Sequence, residues 1–144
     1  MLFLVFERQK NTGAPFTHYM KLLIKDAVIL GILLWVIGYI TSLVLFFSPL
    51  YGIMGWLLIA VFTPFTLIVT WWWFKERGLP LSYYFGVGCS WTVIAIVLDY
   101  LFIVLLFQAT YYGPDVFVYY AVTFFIPVII GCLNLHRQAG NAKQ

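Results

Sequence analysis

LSYYFGVGCSWTVIAIVLDYLFIVLLF, residues 81–107, decides the fold. As a helix rising 1.5 Å per residue it is about 40 Å long, more than the ~30 Å hydrocarbon core of a bilayer. Its only charged side chain is Asp99. Three further apolar runs have the same character, at residues 27–47, 51–74 and 116–135. Runs of this length with almost no charge mark membrane-spanning helices.

The composition agrees. Of 144 residues, 64% are hydrophobic and 9% charged, whereas a soluble domain carries about 25% charged residues. A water-soluble core could not hide this much apolar surface, so lipid is the expected solvent. The reading is an all-α integral membrane protein, an antiparallel four-helix transmembrane bundle. It divides into a cytoplasmic N-terminal segment (1–26), the four-span domain (27–135) and a polar cytoplasmic tail (136–144).

In the N-terminal segment, Glu7, Arg8 and Lys10 follow a short apolar stretch. A signal peptide has the opposite order, so no cleaved signal is expected. Residues 16–25 read as an interfacial helix with Lys21 and Lys25 towards headgroups. Met20 is an alternative start, because all four spans follow it. Ser48 and Pro49 break the first span and leave a connection so short that spans one and two form a hairpin. Pro64 and Pro127 fall near the middle of the second and fourth spans. Trp71, Trp72 and Trp73 close the second span as an interfacial aromatic anchor.

Charge placement sets the orientation. All eight Lys and Arg fall in the N-terminal segment, the 75–80 loop and the tail, and the other two loops have none. The positive-inside rule therefore puts both termini in the cytoplasm, in a multi-pass topology suited to a prokaryotic plasma membrane. The same placement explains the net charge of +3 without a nucleic-acid partner. Cys89 and Cys132 form no CxxC and no Cys/His cluster, so no metal, cofactor or redox pair is signalled. They read as small residues in packed helices. No Ser/His/Asp set, paired carboxylates or phosphate loop marks a catalytic residue, and His18 and His136 are both placed near the cytoplasmic face.

Asp99 is the leading candidate site. On a helix it shares a face with Gly88, Thr92 and Ala95, so it points at other helices. An unpaired carboxylate at that depth is expensive, and an ionisable residue inside a membrane is a functional hypothesis by default. Tyr39 and Thr41 on the first span, Thr63 on the second, and Tyr120 and Thr123 on the fourth lie at similar depth. Asp99, Tyr39, Thr63, Tyr120 and Thr123 thus form a candidate proton or cation site. The alternative is that Asp99 only ties helices together. Tyr111, Tyr112 and Asp115 are candidates for an outer vestibule leading to it, although interfacial tyrosines commonly serve as anchors. Thr63, Thr66 and Thr70 form a stripe on the second span, either bonded to backbone within the helix or lining a polar path.

Gly31, Gly38 and Ser42 on the first span, and Gly86, Gly88 and Ser90 on the third, are small residues that let helices approach closely. They support the first functional expectation: a non-enzymatic protein in the lipid bilayer that binds a membrane-protein partner or forms a homo-oligomer. The second is a small oligomeric solute or ion carrier that uses Asp99 for proton coupling. An enzyme acting on lipid has the least support.

Overall fold

The computed structural model describes residues 16–75, 77–108 and 112–141. It is all-helical. Helix α1 (Phe16–Ile24) runs through a π-helical turn (Lys25–Ile29) into α2 (Leu30–Phe46). A single 3-10 turn (Tyr51–Ile53) leads into α3 (Met54–Phe74). Helix α4 (Leu81–Asp99) continues through a second π-helical segment (Tyr100–Leu105), and α5 (Pro114–Asn141) completes the chain.

The punctuation has local causes. After α2, the Ser48 hydroxyl donates to the Leu45 carbonyl at 2.7 Å and accepts from the Leu50 N–H at 3.2 Å, forming a turn. Pro80 caps α4 in an extended conformation. The third long helix ends at Gln108, whose φ of 47° is left-handed. Pro114 opens α5, where its missing N–H costs nothing. Pro64 and Pro127 lie inside α3 and α5, and both helices continue past them.

Four helices are long and apolar enough to cross a membrane: Met20–Phe46, Met54–Phe74, Leu81–Leu105 and Pro114–Gly140. In their most apolar windows only 17% to 33% of residues are buried inside the bundle. Val44, Ile68 and Leu106 are each more than 60% exposed. An apolar exterior this extensive fits lipid and not water.

The first long helix touches the second and third, and the fourth also touches the second and third. The first and fourth therefore face each other across the middle of the bundle, as do the second and third. The closest approach joins α4 and α5. A Cβ at Gly88 would come within 2.5 Å of the Phe124 carbonyl oxygen, so only glycine permits this spacing. Gly31 sits against the Trp91 indole and Gly38 against the Phe62 ring. Ser42 bonds its own helix at Tyr39 O. Ser90 likewise bonds Gly86 O, while a side chain at Gly86 would meet nothing within 4 Å.

Buried apolar residues form two clusters. Leu30, Leu34, Phe74, Tyr83, Tyr84, Val87, Trp91 and Ile130 pack towards the end that carries the termini. Trp35, Ala95, Val116 and Tyr120 pack towards the other end.

Element boundaries differ from the sequence reading in two places. Residues 16–26 are not a separate interfacial piece but the start of the first long helix. The fourth helix does not stop at residue 135 but continues to Asn141. Cys89 and Cys132, read above as packed residues, are exposed on the outer faces of their helices.

Candidate functional site

Asp99 is 3% exposed and faces the bundle interior. The Trp35 indole donates to its Oδ1 at 2.7 Å, and the Tyr120 hydroxyl donates to its Oδ2 at 3.0 Å. The carboxyl thus ties together the first, third and fourth long helices. Tyr120 is a partner anticipated from the sequence, whereas Trp35 is not. Tyr39 acts one layer out, stacking on Trp35 with ring centroids 5.0 Å apart. Thr41 and Thr123 donate to their own helices, at Ile37 O and Tyr119 O.

A second carboxylate is fully buried. Asp26 lies within the first π-helical turn at 0% exposure. Its Oδ2 is ion-paired with Arg77 and accepts from the Tyr83 hydroxyl at 2.7 Å. Its Oδ1 accepts from the Trp73 indole at 2.9 Å. Its backbone carbonyl accepts from the Trp91 indole at 3.0 Å. Asp99 is therefore not the sole carboxylate inside the bundle. Both acids sit at π-helical segments, Asp26 inside one and Asp99 immediately before the other. Such distortions recur at functional sites.

The sequence reading left Asp26 outside the first span because Lys21 and Lys25 flank it on the N-terminal side. One signal did point to it. The buried stripe Gly31, Leu34, Trp35 continues backwards at helical spacing through Leu30 and Ala27 to Asp26. Arg77 is one of the few cations that can meet it at that end. The three tryptophans also divide. Trp71 and Trp72 are exposed, but Trp73 turns inward to Asp26. Lys25 and Arg77 both lie over the Trp73 ring, at 5.5 and 5.6 Å. At 100° per residue, three consecutive side chains cannot share one face.

Asn134 extends this inner cluster. It donates to the Phe74 carbonyl at 2.9 Å and to the Tyr84 hydroxyl at 3.3 Å, joining the second, third and fourth long helices. Tyr84 in turn donates to Arg77 O at 3.3 Å.

Between the two acids lies a cavity of about 30 Å³. Every long helix contributes to its lining, including Gly31 and Trp35, Thr63 and Thr66, Trp91 and Ala95, and Tyr119 and Thr123. Trp35 reaches from it to Asp99, and Trp91 reaches to the Asp26 backbone. About 13 Å of helix rise separates Asp26 from Trp35 along the first helix. The hydroxyls of Thr66 and Thr70 and the Oδ1 of Asn134 are buried without a hydrogen-bond partner. The threonine stripe is thus not absorbed by its own backbone.

The vestibule candidates are not brought to Asp99. Tyr111 lies outside the described residues. Tyr112 is exposed, and Asp115 packs over Gly55 and Gly113 at the start of α5. Of the aromatic residues near that end, Tyr119 and Tyr120 are the ones that join the interior.

No family model, curated protein or solved structure matches this chain. The class of protein therefore rests on the molecule itself: a small all-helical chain with four span-length helices, an apolar exterior and a polar column inside.

Proposed function

We propose that the protein is a four-span membrane protein, both termini cytoplasmic, that carries protons or a small ion through its bundle with Asp99 as the titrating carboxyl. The observation that carries this reading is the polar column: two buried acids with a cavity and unbonded threonine hydroxyls between them. Unsatisfied polar groups are costly in a low-dielectric interior. A bundle built only for stability would have bonded or replaced them. The 30 Å³ cavity is too small for an organic solute, which restricts the cargo of this closed form to protons or a small ion. Orientation follows from the eight cations on the terminal side.

The test is reactivity of Asp99 with a hydrophobic carbodiimide in proteoliposomes across pH, paired with dye-reported proton flux. Reaction with a defined pH midpoint, and loss of flux in Asp99→Asn with the fold retained, is the expected result. An Asp99→Asn protein with full flux would end the proposal.

A second reading, association with a copy of itself or with another membrane protein, draws on a different observation. Gly86 has open space beside it, and the neighbouring Cys89 is exposed. Gly31, Gly38 and Gly88 do not contribute to such a surface, because contacts within the bundle already occupy them. Crosslinking at Cys89 in lipid tests this reading: a dimer band supports association, and a purely monomeric pattern removes it.

A further inference from the structure

We infer that the cavity between Asp99 and Asp26 is a resident-water site anchored by the Thr66 hydroxyl. Its volume of about 30 Å³ holds roughly two waters, since one needs about 10–15 Å³ on the same measure. Size alone would not decide this, because an apolar cavity stays dry. The lining decides it. Thr66 is 5% exposed, lines the cavity, and has a hydroxyl with no partner in the protein. Thr63 lines the same space from one turn earlier on the helix, and Thr123 from the opposite wall. The Thr123 hydroxyl gives its hydrogen to Tyr119 O at 2.9 Å, which leaves its lone pairs to accept from water. A water here therefore meets the two to four polar partners that hold buried water in place.

The position of the site gives it a use. Towards one end, Trp35 and Tyr119 separate it from the Asp99 clasp. Towards the other, Thr70 lies one turn beyond Thr66, fully buried and also unbonded. Water in the cavity is what turns two isolated acids into one polar path. The site itself stands on this geometry; its service as a proton relay rests on the proton-linked reading above.

The experiment is water-edited solid-state NMR on the full chain in lipid bilayers, reading magnetisation transfer from water to threonine side chains. Lipid-facing Val44 and Ile68 give the dry reference. Transfer to Thr66 is expected to exceed that reference several-fold. It should fall to the reference in Thr66→Val, which keeps the shape and removes the hydroxyl, and return in Thr66→Ser. A Thr66 signal at the reference level in the wild type overturns the inference, as does an undiminished cavity-water signal at Thr63 in Thr66→Val. Proton flux measured on the same liposomes separates the two ideas. A hydrated Thr66 with no wild-type flux leaves the water site standing and removes the transport reading. Flux with a dry Thr66 does the reverse.

Discussion

Replacing Asp26 with asparagine tests the inner cluster with almost no change in shape. The Asp26 carboxylate serves three donors: Arg77 and Tyr83 on Oδ2, and Trp73 on Oδ1. An amide has one acceptor oxygen and one donor nitrogen. If its oxygen faces Arg77 and Tyr83, its NH2 group meets the Trp73 N–H, and two donors oppose each other. That bond, worth about 1 kcal/mol, is lost. The Arg77 pairing also falls from charge-assisted to neutral, a loss of about 1.5–3 kcal/mol where the acceptor is fully buried. The alternative flip relieves Trp73 but turns the NH2 group towards Arg77 and Tyr83, which is worse. The expected cost is therefore about 2–4 kcal/mol, and Arg77→Gln should cost a similar amount by leaving a buried carboxylate without its cation. The double variant should be less unstable than the sum of the two, with a coupling of about 1–3 kcal/mol. Reversible unfolding in mixed micelles by a denaturing detergent, followed by tryptophan fluorescence, reads all three variants. A loss below about 0.5 kcal/mol in Asp26→Asn, or strict additivity in the cycle, would refute the account of a closed, water-excluding ion pair.

Two further predictions use single glycines and the cysteines. Gly88→Ala places a methyl 2.5 Å from the Phe124 carbonyl. Backbone must move to relieve it, so thermal stability in detergent should fall sharply. Gly86→Ala meets nothing within 4 Å and should raise stability by up to about 1 kcal/mol through helix propensity. Equal effects at the two positions would contradict the α4–α5 packing. Cys89 and Cys132 are both exposed on the apolar exterior, so a lipid-soluble maleimide should label both in intact vesicles and a membrane-impermeant one should label neither. Labelling by the impermeant reagent would mean that these faces meet water.

Helix number, approximate length and order were legible in the sequence, because an apolar run of about 20 residues without charge has few other solutions. Asp99 was legible as an interior group for the same reason: one carboxylate in a long apolar run must turn towards protein. Tyr120 followed from depth, since rise per residue fixes height along a helix. Asp26 was not legible with the same force. It lies near the end of its run with Lys21 and Lys25 one and two turns away, and local charge alone places such a residue outside a span.

The sequence by itself determined that this chain makes four long apolar helices, that their cations gather at one end, and that Asp99 faces inward. These are local or one-dimensional properties, set by helix periodicity and by what a bilayer excludes. Tertiary structure alone decided that Trp35 and not Thr41 reaches Asp99, that Trp73 leaves its neighbours to serve Asp26, and that Arg77 closes that cluster. It also decided that Thr66 and Thr70 face a polar interior unbonded. Those facts depend on how each helix is rotated about its axis and which helices are neighbours. The π-helical turns beside both acids change that rotation, and no apolar period in the sequence records it.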